Sequence, residues 1–231
     1  MRRFYTEVAL EAAGDGWRVM LDGRAIRTQM GSAQIVPTRA AAELLAGEWR
    51  AQGEEIDPKT FVHRDLTDYA IDVVRADRGA AIDKLLSYAG TDTLCYRADP
   101  GDALWARQEE VWEPLVAAFE DAHGVRMERV SGIVHRAQPE ASIARLRARL
   151  EQEDDFTLAA LLTLASLAAS LIVALAALED DADAQALFAA ANCEEDWQAQ
   201  LWGRDAEADR ARSAREEAFA RAMAFARAVR S

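Results

Sequence analysis

The chain has 231 residues, room for one large domain or two small ones, and 51% of them are apolar, enough for a sizeable core. Its net charge of −13 disfavours nucleic acids, whose phosphates call for a basic surface, and anionic membranes as well. The acid is concentrated: residues 1–100 carry net −3, residues 101–231 carry net −10, and from Glu151 to Gly203 there are 11 acidic residues and no basic one. A solvated, solubilising face explains most of these charges, and a field steering a basic partner is the functional reading.

The first 37 residues predict antiparallel strands. "FYTEVALEA" alternates, "GDG" turns, "WRVMLD" alternates again, and Asp22-Gly23 supplies a second turn before the short runs "RAIRTQ" and "AQIV". At Pro37-Thr38 the period changes. Thr38 is a candidate cap for "RAAAELLAGEWRAQG", with Ala41, Leu45 and Trp49 on one face. Two more helices follow, "RDLTDYAIDVVRA" and "AAIDKLLSYA"; "TDTLCYRADPGD" is irregular or strand-like, and Pro100-Gly101 is the expected domain boundary. "ALWARQEEVWEPLVAAFEDAH" is helical with a kink or break at Pro114, and "VRMERVSGIVH" is an extended excursion. Pro139 opens the next helix, and three more follow "DFTLAALLTLASLAASLIVALAALEDD": "ADAQALFAAAN", "EEDWQAQLWG" and a final helix with Phe219, Ala222, Met223, Ala226 and Val229 as its core stripe.

The run Phe156–Leu178 has 23 residues without a charge, long enough for a membrane span. Eight are Ala, four carry hydroxyls, and acidic residues flank both ends where a span would have Lys, Arg, Trp or Tyr. A buried core segment fits better, broken near Ser170 into two shorter helices. The expected architecture is α+β: a small β-rich N-terminal domain with accessory helices (1–100), packed on a mostly helical C-terminal domain (101–231).

Chemical motifs are few. Neither G-x-x-x-x-G-K-[ST] nor G-x-G-x-x-G occurs, and there is no G-x-S-x-G elbow, Cys-x-x-Cys or His-Glu-x-x-His. His63, His123 and His135 lack metal-ligand spacing, so no metal or cofactor is expected; Cys95 and Cys193 fit a reducing compartment. An enzyme would have to use a carboxylate pair, Asp205 with Glu207, or Glu194 or Glu195 with Asp196. The plainer role for these is at helix N-termini, where they satisfy the positive end of the helix dipole. Of six tryptophans, Trp197 and Trp202 stand apart in the acid- and amide-rich "EEDWQAQLWGRDAEA", where an aromatic either anchors an interface or caps the bundle.

"RFYTEV", "LDGRAIRT", "IVPT", "EWRAQGEEIDP", "YAGTDTLCYRA", "RQEEVWEPL", "DFTLAALLTLASLAASLIVALA" and "EDWQAQLWGRDAEADR", in this order, resemble the ATP12 family of F1-ATPase assembly chaperones. One departure is "LAAS" at 167–170, where the family pattern has Gly-Ser; inside a helix, Ala for Gly would cost little. The resemblance implies an ATP-independent, non-enzymatic protein that holds the free F1 α subunit until β replaces it; a holdase of this size can work as a monomer. It directs attention to Asp205 and Glu207 after Trp202-Gly203, with Trp197 and Trp202 as partner-binding aromatics and Trp49 as a packing residue. The similarity begins at Arg3-Phe4, which leads to an expected bacterial cytoplasmic location, or the mitochondrial matrix for a processed form.

Overall fold

The computed structural model describes residues 1–132, 135–203 and 205–231. They form two compact units: Met1–Ala81 with Asp154–Ala160 and Arg221–Ser231, and Ile82–Glu153 with Leu161–Ala220. The expected break at Pro100-Gly101 falls inside the second unit, because a strand just before it pairs with one beyond it.

In the first unit, β1 (Val8–Ala13), β2 (Gly16–Leu21) and β3 (Arg24–Ala25) make an antiparallel sheet in the order β1-β2-β3, with Val8 opposite Leu21 and Met20 opposite Ala25. The run at 33–36 adds only isolated bridges, Trp17 to Val36 and Arg27 to Ala33. Helix α1 (Arg39–Arg50) begins at Thr38, whose Oγ1 accepts from Ala41 N at 3.0 Å, and it buries Ala41, Ala42, Leu45 and Trp49. Glu48 on α1 accepts from His63 N and Arg64 N, at 2.7 and 3.0 Å, and so caps α2 (Val62–Tyr69), whose own leading residue, Phe61, provides no side-chain cap. A π-helical turn (Ala70–Val74) continues α2. Asp68 and Asp72, one turn apart, clasp the loop after β3: Asp68 accepts from Gln29 N, and Asp72 from Thr28 Oγ1 and Met30 N.

In the second unit, α3 (Arg78–Gly90), which starts in the first, leads to β4 (Tyr96–Arg97), parallel to β5 (Val130–Ser131). Ile133 and Val134, at the end of the expected extended excursion, lie outside the described residues. Helix α4 (Ala103–His123) runs through Pro114, so of the expected kink or break the break does not occur. Buried Trp112, Val116 and Phe119 anchor it on both sides of the proline and offset the lost hydrogen bond. Arg97 is buried and pairs with Glu109 and Glu113, while Arg129 bridges Glu113 and Glu120. Against the cost of burial, Arg129 holds both Glu113 and Glu120 below the usual carboxylate range. Helix α5 (Glu140–Leu150) follows Pro139.

The uncharged run becomes α6 (Asp155–Ala168) and α7 (Leu171–Ala176), with its apolar side chains almost all buried. Among the described residues no helix is long and apolar enough to cross a membrane. Helices α8 (Ala184–Ala191), α9 (Cys193–Trp202) and α10 (Ala206–Arg230) complete the chain, and the stripe Phe219–Val229 is buried as expected.

The break between α6 and α7 corrects one expectation. Ala169 is not inside a helix: it has φ +48°, Ser170 N reaches back to Ala165 O at 3.2 Å, and Ser170 Oγ caps α7 by accepting from Val173 N at 3.0 Å. This is a left-handed helix stop, where glycine is favoured and a Cβ is strained. An Ala169→Gly variant is therefore expected to gain about 1 kcal/mol in urea unfolding; a loss of stability would show that the stop does not hold Ala169 in a strained state.

Candidate interaction surface

Helix α9 carries three acids in its first turn, and the fold uses all of them. Glu194 accepts from buried Gln108 Nε2 at 2.6 Å, Glu195 pairs with Arg215 at 2.6 Å, and Asp196 takes a two-point contact from Arg212 Nη2 and Nε at 2.6 and 2.9 Å. Arg212 also lies over the Phe188 ring, 5.3 Å from its centroid, and its hydrogen bond to Asp196 raises its pKa further. These contacts lock α9 to α10 and α4.

The other end of α9 is different. Trp202 is 78% exposed and Leu201 56%, before Gly203 (φ +80°) ends the helix. Arg204 lies outside the described residues. Asp205 then starts α10: its Oδ1 accepts from Glu207 N at 2.9 Å and Ala208 N at 2.8 Å. Glu207 sits in the first helical turn and is exposed. Both carboxylates thus stand at the helix-terminal positions weighed for them, Asp205 as the cap and Glu207 in the first turn without a capping bond of its own among the described residues. Reversing Asp205 removes a cap worth about 1 kcal/mol and sets a positive charge at a helix N-terminus. Reversing Glu207 leaves that cap in place and loses only the favourable charge of the first turn, about 0.3–1 kcal/mol.

The two tryptophans separate as well. Trp197 is half-buried beside a hollow of about 270 Å³ that Arg107, Val111, Cys193 and Asp196 also line. Trp202 is five residues further along the helix and so lies on another face. Leu201 was not singled out in the sequence, and its spacing gives no signal, since it lies four residues from half-buried Trp197 on the same helix face. Asp205 and Glu207 line neither this hollow nor the one of about 460 Å³ bordered by Tyr96, His135 and Glu194. An exposed Trp–Leu pair next to a helix start with two carboxylates has the composition of a protein-binding surface, in which a large aromatic supplies contact area and the acids supply direction.

Similarity to known proteins agrees with that class. Residues 2–120 match the family described as ATP12 chaperone protein. The mitochondrial protein atp12 of Schizosaccharomyces pombe is 26% identical over 214 residues, spanning 87% of this chain and 74% of the relative. The crystal structure of Atp12 from Paracoccus denitrificans superposes with a TM-score of 0.92 at 34% identity, covering 99% of this chain and 98% of that one. An aspartate-to-lysine mutant of that protein superposes equally well, with a TM-score of 0.93 at 34% identity over 99% of this chain and 97% of that one. The chain belongs to the ATP12 chaperone family.

Proposed function

We propose that this protein is an ATP-independent holdase for the unassembled F1 α subunit of ATP synthase, and that the Leu201-Trp202 end of α9 with Glu207 forms part of its client surface. The observation that carries the reading is Trp202, among the described residues the most exposed large apolar side chain of its unit. Burying a side chain of that size against a client contributes roughly 2–3 kcal/mol. A client arginine meeting Glu207 would add register more than affinity.

A ring subunit without its neighbour exposes apolar surface made for that neighbour, and this surface drives aggregation. A protein that covers it by mass action needs no nucleotide, provided the final α–β contact is tighter than the chaperone contact. No catalytic step is required, and a single copy suffices. The protein would act where F1 is assembled, in a bacterial cytoplasm or a mitochondrial matrix.

Co-purification of F1 α, expressed without β, tests this. Trp202→Ala is expected to weaken capture about 30-fold, the equivalent of ~2 kcal/mol at an interface anchor. Glu207→Lys is also expected to lose most capture, with both thermal midpoints close to the parent's, since neither side chain is packed. Undiminished capture by both variants would remove this surface from the account.

A further inference from the structure

A second cleft, in the first unit, belongs to none of the machinery above. It has a volume of about 510 Å³, with Phe4, Tyr5 and Trp49 on its apolar side and Arg24, Arg27 and Arg64 on its polar side. That size suits a few side chains and excludes a folded domain. Phe4 is 62% exposed, with its ring edge-on to Tyr5 at 5.3 Å, so an apolar platform is open to solvent at the cleft.

The charge is the unusual part. Three arginines face one carboxylate, Asp22, in a chain of net charge −13, so a basic overall composition cannot account for it. Asp22 is already engaged: its oxygens accept from Thr6 N at 3.0 and 3.2 Å and from Glu7 N at 2.7 Å, and the Glu7 N–H foremost, with Thr6, holds its carboxyl below the usual range. Among the described residues Arg24 makes no direct ion pair, though its charge acts on Asp22, and Arg27 donates to the Gly31 carbonyl at 2.7 Å, which brings no counter-charge. Arg64 is the most tied of the three, 3.7 Å from Asp68 and over the rings of Trp49 and Phe61.

The backbone supplies a third element. Strand β3 carries Arg24 and Ala25, both exposed, and among the described residues pairs with β2 alone, so its outer edge is open along the cleft. An open edge with a side-chain pocket beside it is the arrangement by which sheets accept an added strand. Successive residues of an added strand point to opposite faces, so with acidic and apolar side chains in alternation the carboxylates would all fall on the cleft side, facing its arginines.

We infer that the β3 edge and its arginine-lined cleft form a docking site for an extended acidic segment of a partner polypeptide, with alternating carboxylate and apolar side chains. The site lies within the first unit and does not depend on the client assigned above. The test is calorimetric titration of the full chain with the blocked hexapeptide acetyl-Asp-Phe-Glu-Val-Asp-Val-amide. The same peptide with Lys for each acid is the control, and a short oligonucleotide is a second anion.

The acidic peptide should bind more weakly as salt is raised and protect the Ala25 amide from hydrogen exchange. It should bind at least about tenfold more weakly to Arg24→Glu/Arg27→Glu. Arg24→Gln, which removes one exposed charge, should give an intermediate loss with an unchanged melting curve, so weakened binding cannot be assigned to misfolding. Failure of the acidic peptide to bind, equal binding of the lysine peptide, binding indifferent to both arginine variants, or binding of the oligonucleotide alone would each overturn the inference.

Discussion

Trp49→Arg is expected to lose at least ~4 kcal/mol of stability, a large part of the 5–15 kcal/mol that holds a typical domain folded. Trp49 is 7% exposed, with the Phe61 ring 4.5 Å and the Tyr5 ring 5.5 Å from its own. Tyr5 OH donates to the Trp49 carbonyl at 2.6 Å, tying the N-terminal segment to α1 at this point. Removing a buried aromatic costs about 3–5 kcal/mol from lost contacts and the space left behind. The arginine adds a desolvated charge and places it near Arg64, whose guanidinium lies 5.9 Å from the Trp49 ring centroid. Trp49→Phe keeps most of the packing and should lose far less. Urea unfolding followed by circular dichroism measures both; an arginine variant within 1–2 kcal/mol of the parent would mean that this cluster contributes little to the fold.

Asp92→Ala is expected to cost about 3–5 kcal/mol, because the Asp92 carboxylate serves several backbone donors in a completely buried place. Oδ1 accepts from Leu94 N at 3.1 Å and Oδ2 from Ile172 N at 3.0 Å, with Leu171 N and the Ser170 hydroxyl also bonded to it. The residue thereby joins the segment before β4 to the start of α7, next to Ala169, whose carbonyl accepts from Thr93 N and Oγ1 at 3.1 and 3.0 Å. Alanine would leave these donors facing apolar surroundings.

The same residue gives a pH signature. Burial outweighs the donors and pushes the Asp92 carboxyl up to about 6. A folded pKa above the unfolded value of about 3.9 stabilises the fold fully below about pH 4, and that contribution is lost as pH rises through about 6. Two units correspond to roughly 3 kcal/mol. Glu113, Glu120 and Asp155, held down by arginines against the cost of burial, work the other way and lose their contribution as pH falls. Subtracting Asp92→Asn from the parent isolates the first effect: the stability difference should shift against the parent by about 3 kcal/mol between pH 4 and 7. A difference flat with pH would show that Asp92 titrates as an ordinary exposed carboxyl.

Several elements were legible because local chemistry decides them. Thr38 ahead of a 3.6-period run marks a helix start by its cap alone, and the small and hydroxylated residues of 156–178 separate a core segment from a span. Other features depend on partners far along the chain. Pro114 carries a genuine breaking signal, which burial of Trp112, Val116 and Phe119 overrides. The run at 33–36 reads as a short strand yet among the described residues finds only bridges, since pairing is set by its neighbours. Position 169 reads as helix interior in the sequence, and only the geometry shows an alanine held at φ +48°. At the candidate surface, the sequence marked Trp197, Trp202, Asp205 and Glu207 as a group. Burial divides them into a half-buried Trp197, a capping Asp205, and an exposed Trp202 and Glu207. The arginine cleft was not legible, because Arg24, Arg27 and Arg64 come together only once β3 and α2 are in place.

The central claim is that an exposed aromatic end of α9 shields an unassembled ring subunit without spending nucleotide. Light scattering of purified F1 α, warmed until it aggregates, tests this most directly. Equimolar parent protein should suppress the scattering without ATP, Trp202→Ala/Glu207→Lys should not, and added F1 β should displace the parent in nucleotide-free buffer. Scattering that rises equally with and without the parent, or release that occurs only when ATP is supplied, would contradict the account.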